Sequence, residues 1–205
     1  YYFFEHVDGE AILVFADGPE PMQREMTPPV ILGLAQGVVS GAVLTADSLA
    51  SFSRTHSIRT GSVHLVDYDF EKPQAKPQAT QFADTPFPTP YFEYPGGFTV
   101  SSEGARLATA RMRSLRNDVD VVQGESHSVT IEVGATLTVD GSRQGSLSGR
   151  FSITDLLTHG HSGRFGGLNS LTNRFRGIPE GQAWAPPRLA KKPRIGGLQT
   201  ATITG

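Results

Sequence analysis

Asp67, Asp69 and Glu71 stand at alternate positions, so on a β-strand their carboxylates share one face. Three hard oxygen donors on one face suit Ca²⁺ or Mg²⁺. The simpler reading, which we adopt, is a polar strand face or a subunit contact. His159 and His161 repeat the same spacing. A zinc site wants three or four ligands, and a strand does not bring Asp155 close to His159. A Ser, a His and an acid are all available for acyl transfer, but there is no Gly-x-Ser-x-Gly elbow. Gly145-Ser146-Leu147-Ser148-Gly149 places Leu at its centre. No carboxylate pair is marked out for glycoside hydrolysis, and no Gly-x-x-x-x-Gly-Lys-Ser/Thr phosphate loop occurs. Lys191-Lys192-Pro193-Arg194 is a basic run able to touch nucleic acid or an acidic partner. In a proline-rich setting it reads more simply as a solvated connector. The expectation is no catalytic, cofactor-binding or metal-ligating residue.

The elements that carry these residues read as mainly β. Tyr1 to His6 and Ala11 to Ala16 are apolar runs flanking Val7-Asp8-Gly9-Glu10, and Asp-Gly is a strong hairpin signal. Val30 to Leu49 lacks a clean period and reads as loop with short strands. Ser51 to Arg59 alternates, with Phe52, Arg54, His56 and Ile58 on one face. A strand is expected over Val63 to Phe70. Residues 71–95 hold six prolines, too many for a central strand, and read as an extended connector whose aromatics tuck against a sheet. Ser101 to Arg116 is the one clear amphipathic helix. Its stripe is Ala105, Ala108, Met112 and Leu115, with Thr99, Ser101 or Ser102 as cap and Glu103 at the positive end of the dipole. Arg106, Arg111, Arg113 and Arg116 lie off the stripe or at its edge, and Leu107 points away from it. Further strands are expected at Asp120–Gln123, Ser128–Val133, Ala135–Val139, Gly149–Thr158 and Asn173–Ile178. Turns are expected at Gly124 and Gly134, and a loop over Gly160–Leu171.

The chain has 205 residues and no cysteine, so disulfides and thiolate metal sites are excluded. A net charge of −2 argues against nucleic-acid binding by bulk charge. No apolar run reaches the ~18 residues of a membrane helix. The 23 Gly and 14 Pro suit a loop-rich β protein. Charge is uneven: residues 1–100 carry 12 acidic and 5 basic side chains, and residues 101–205 carry 8 and 13. Either these are two solvated surfaces or they are complementary faces that dock in register. The sequence opens and closes on what read as strands, and we take it for a piece of a longer protein.

Several blocks, in order, resemble one family. They are Tyr1-Tyr2-Phe3-Phe4-Glu5-His6 with Asp8-Gly9, Val66 to Pro73, Tyr94-Pro95-Gly96-Gly97, and Glu103-Gly104-Ala105-Arg106-Leu107-Ala108. They continue with Arg174 to Pro179, Pro186-Pro187-Arg188, and Lys192-Pro193-Arg194-Ile195 running into Leu198-Gln199-Thr200-Ala201. Together they resemble the VgrG family, the spike proteins of type VI secretion systems, and are similar to the tail hubs of contractile-tailed phages. The resemblance implies a hub module built mainly of β-barrels over residues 1–194 and the start of an OB-fold over 195–205. It implies a homotrimer that caps a hexameric Hcp tube and carries a needle. A PAAR tip protein and effectors would bind regions beyond this segment. It implies assembly in the bacterial cytoplasm and secretion through the type VI apparatus, with neither membrane anchoring nor nucleic acid. The alternatives are a prophage tail hub or baseplate spike and, in another class, a carbohydrate-active or carbohydrate-binding β protein.

Overall fold

Asp8 and Gly9 both take positive φ, 53° and 83°. This is the two-residue turn whose twist suits a hairpin, and it joins β1 (Tyr2–Val7) to β2 (Glu10–Phe15). The computed structural model describes residues 2–16, 24–25, 31–34, 48–140, 147–161, 170–190, 193, 195–198 and 200–202. Ten further strands follow: β3 (Arg24–Glu25), β4 (Ile31–Leu34), β5 (Ser48–His56), β6 (Ser62–Val66), β7 (Gln78–Phe82), β8 (Pro90–Glu93), β9 (Asp120–Ser126), β10 (Ala135–Asp140), β11 (Gly149–His161) and β12 (Ser170–Pro179). One helix, α1 (Ser101–Leu115), lies between β8 and β9. The mainly β expectation with a single helix holds among the described residues.

The larger sheet runs β11-β12-β9-β5-β4-β10, and β10 also pairs with β11. The ladder therefore returns to its starting strand, the pairing expected of a barrel wall; β3 joins β10 just before β4 does. Inside this ring lie Leu49, Val122, Leu137, Val139, Phe151, Ile153 and Phe175, with Phe52 and Leu156 packed against them. Leu156, Phe175, Gly124 and Phe52 form one row across four strands. The expected turn at Gly124 is instead mid-strand. A Cβ there would lie 2.5 Å from the Phe175 ring, so glycine makes room for the aromatic beside it.

Residues 62–115 form a second unit inserted between the neighbouring ring strands β5 and β9. The order is β7-β6-β8, with β7 antiparallel and β8 parallel to β6. Val63, Leu65, Ala79, Phe98, Ala108 and Met112 form its own core. The stretch read as a connector thus holds two strands, and Pro90 is tolerated because β8 is an edge. Helix α1 buries Gly104, Ala108 and Met112. Of the expected stripe, Ala108 and Met112 are buried and Leu115 packs on the core; Ala105 is exposed instead, and Leu107, expected to point away, packs on the core. Gly104 passes over Phe98, where a Cβ would meet the ring at 2.4 Å. Val100 is the N-cap and no side chain caps the helix, against the expectation for Thr99, Ser101 or Ser102.

Strand β6 ends at Val66, four residues short of the expected strand. Ser128–Val133 is a turn, because hydroxyls compete for its amides: Ser128 N–H donates to Ser126 Oγ and Thr130 N–H to Ser128 Oγ. Strands reach to His161 and from Ser170 across the ends of the expected loop, whose remaining residues lie outside those described. Residues 35–47 do too, while Ile31–Leu34 is strand. No helix among the described residues is long and apolar enough to cross a membrane.

Candidate functional site

The three carboxylates singled out by spacing do not share a strand face. Asp67 follows the end of β6 and accepts backbone N–H bonds from Tyr68, Gly97 and Phe98. Partial burial pushes its carboxyl up, and the three amides pull it below the usual carboxylate range. Asp69 Oδ1 accepts the amides of Glu71 and Lys72, closing a turn. Both acids are committed to the backbone, and Glu71 is exposed. His159 and His161 are exposed on β11, and no group of three metal-ligating side chains occurs among the described residues. Gly145, Ser146, Lys191, Lys192 and Arg194 lie outside the described residues.

The charged side chains that the structure does gather sit at joints between elements. The inserted unit leaves and re-enters the ring through residues 57–61 and 116–119. There Ser57 N–H donates to Val119 O at 2.8 Å, and Arg116 Nη1 donates to Thr60 O at 2.8 Å. Arg59 grips both oxygens of Asp118, with Nε–Oδ1 at 2.6 Å. This guanidinium is the main reason the Asp118 carboxyl lies below its ordinary range. Five residues earlier, on β5, Arg54 forks onto Asp120 at 2.8 and 2.6 Å and lies over the Phe151 ring. It closes that end of the ring's core with a paired cation.

After β12 the chain becomes an extended strap. Glu180 pairs with Arg150 at 2.7 and 3.0 Å. The strap then runs antiparallel along the end of α1. Asn117 donates from Nδ2 to Ala185 O at 2.6 Å and accepts from Ala185 N–H at 3.1 Å, so one amide side chain satisfies both backbone groups of one residue. Gln182 Nε2 donates to Asn117 O, and Ser114 Oγ donates to Pro186 O. Arg188 reaches Glu93 on β8 at 3.0 Å. Glu93 is also held by both arms of Arg111, at 2.8 and 2.9 Å, and by the Tyr91 hydroxyl at 3.1 Å. Burial pushes the Glu93 carboxyl up, and Arg111, Tyr91 and Arg188 outweigh it and hold it below its ordinary range.

A depression of about 500 Å³ lies across β5, β9, β12 and β11, where Glu125, Asp155, Arg174 and Arg176 sit with Leu157. Arg174 meets Glu125 at 3.3 Å on an exposed surface. On the β1–β2 hairpin, Tyr2, Phe4, Ile12, Leu13 and Phe15 are all exposed.

Residues 1–163 match the phage tail baseplate hub (GPD) family. The chain belongs to that family. Across its whole length this hub chain is 26% identical to the type VI secretion system spike protein VgrG5 of Pseudomonas aeruginosa and 24% identical to VgrG1b of the same organism. It spans 28% of the length of each. Among solved structures, the hub chain superposes on the prophage MuSo2 43 kDa tail protein of Shewanella oneidensis with TM-score 0.54 and 9% identity, covering 83% of this chain and 47% of that one. The E. coli c3393 protein, described as a type VI secretion component similar to phage T4 gp27 and gp5, gives TM-score 0.53 and 15% identity. That match covers 96% of this chain and 38% of the other. These likenesses show the fold.

Sequence reasoning missed the residues that organise the hub's joints. Asn117-Asp118 reads as a helix stop, and only the structure shows Asn117 holding the strap and Asp118 holding Arg59. Pro186-Pro187-Arg188 is noticeable in sequence, but nothing local marks Glu93 as its partner.

Proposed function

We propose that this chain is hub material of a type VI secretion spike, with a mechanical role and no chemistry of its own. The observation that carries it is alignment over the whole chain with VgrG spike proteins, on a fold that phage tail proteins share. Three copies form a ring that caps an Hcp tube, and the chain after the strap passes into an OB-fold and needle bearing a PAAR tip and effectors. Assembly takes place in the bacterial cytoplasm and export through the type VI apparatus. Residues 1–194 are the hub module and 195–205 the beginning of the next domain. Cyclic closure joins unlike patches, and the acidic excess before residue 100 and basic excess after it supply complementary charge.

Light scattering across concentration and salt tests the assembly. Monomer passing to trimer, with trimer favoured at low salt, supports it, and a stable dimer refutes it. The prophage reading is favoured by the tail proteins among the structural likenesses. Co-sedimentation with purified Hcp hexamer separates the two: pelleting with Hcp supports the secretion spike, and its failure with a trimeric hub favours the phage tail.

A further inference from the structure

The inserted unit and the ring have separate cores. Between them run only two chain crossings, 57–61 and 116–119, held to each other by the Ser57–Val119 bond and the Arg59–Asp118 fork. A two-stranded neck resists stretching but bends readily about its own axis. Beside it the unit and the ring do not close up. A cleft of about 290 Å³ remains, with Ser114, Asn117 and Asp118 on one wall and Thr154, Asp155 and Arg176 on the other. The strap spans this cleft. It leaves the ring at β12, contributes Trp184 and Pro187 to the cleft, and is fastened to the neck at Asn117 and to the unit at Ser114 and Glu93.

We infer that residues 182–188 are a brace: they triangulate the inserted unit against the ring, and their release lets the unit swing about the neck while both cores stay folded. The fastening suits detachment. It has no sheet ladder and consists of side-chain contacts to an extended segment, on which Trp184 is half-buried in the cleft and itself partnered. Neck and brace are all within this chain, so the inference stands for a secretion spike and for a phage tail alike.

The chain has no cysteine, so two can be placed at will. Ser53→Cys on β5 with Arg106→Cys on α1 measures unit against ring by spin-label distances. Gln78→Cys with Arg106→Cys measures within the unit. Labelled protein is diluted with unlabelled protein so that only pairs within one chain are read. The brace is released by Asn117→Ala with Arg188→Ala, and Arg188→Ala alone is the milder form. Release should speed amide exchange over residues 183–188 about tenfold, because only a few hydrogen bonds hold it. The Ser53–Arg106 distribution should broaden about twofold, as for a freed hinge, while the Gln78–Arg106 distribution stays as in the parent. A strap that exchanges fast beside an unchanged Ser53–Arg106 distribution overturns the inference, since the neck alone then fixes the unit. An unchanged exchange rate overturns it by showing that these contacts do not hold the strap. Broadening of both pairs overturns the claim of an independently folded unit.

Discussion

Gly124→Ala tests the packing of the ring most directly. The added carbon would stand 2.5 Å from Phe175 Cζ, 2.8 Å from Cε1 and 3.1 Å from the Ser51 carbonyl oxygen. The ring cannot swing away freely: Phe175 is 4% exposed and its centroid lies 6.4 Å from that of Phe52. The backbone oxygen belongs to a paired strand and yields less still. Overpacking of this kind costs about 1–3 kcal/mol, which for a domain of this size is a fall of roughly 2–12 °C in melting temperature. The cost comes from the far end of the Phe175 ring, so Phe175→Leu should relieve part of it. A double-mutant cycle read by thermal melting should give a favourable coupling of about 1 kcal/mol or more. Gly196→Ala, with nothing within 4 Å of its Cβ, is the control and should stay within about 0.5 kcal/mol of the parent. A melting temperature for Gly124→Ala within about 1 °C of the parent refutes the reasoning. So does an equal loss with Leu at residue 175.

Ala108 is fully buried under the three-stranded sheet and Arg113 is exposed. Ala108→Glu should therefore cost several kcal/mol through an unpaired buried charge, and Arg113→Glu little; equal thermal shifts for the two would refute the helix assignment. Glu93 and Asp118 have folded pKa values below their unfolded ones. Their contribution is thus present above the unfolded carboxylate range, near pH 4, and is lost as pH falls through the folded values. The stability gap between parent and Glu93→Gln should be constant near neutral pH and shrink in acid; a gap that widens on acidification contradicts the Arg111–Glu93–Arg188 network. Since Asp67 and Asp69 are occupied by backbone amides, chelator should leave the melting temperature unchanged. A large drop restored by one divalent ion would show a site these bonds do not reveal.

Legibility followed the range of the interactions. The β1–β2 turn was readable because Asp-Gly sets its own backbone, and α1 because its period repeats within one element. The helix face is legible at Ala108, Met112 and Leu115 but not at Ala105, because Gly104 counts as apolar surface only when Phe98 lies beneath it. Asp67, Asp69 and Glu71 read as one strand face because alternation assumes a strand, and that strand stops at Val66. The proline-dense stretch hid β7 and β8 because an edge strand tolerates residues that a central one refuses, and edge position is a property of the sheet. For the joints the partners are remote: Arg59 and Asp118 are 59 residues apart, and Glu93 and Arg188 are 95 apart. Pairings at that separation leave no mark in local composition, so block order carried the family and only coordinates could carry the contacts.

The position of the insertion explains why a second core costs the ring so little. Strands β5 and β9 are hydrogen-bonded neighbours, with His56 opposite Asp120 at the last rung. A chain leaving β5 and returning into β9 therefore has its ends already held together, and what lies between adds only a loop-closure term that grows slowly with length. The inserted residues cover that term locally, because Val63 to Met112 bury one another without borrowing from the ring. The same economy leaves the unit's orientation weakly specified by packing, and side-chain clasps must supply it. If the strap is a brace, Asn117 and Arg188 sit where a mutation does least to folding and most to geometry, whereas Glu93, held within the unit by Arg111 and Tyr91, serves both.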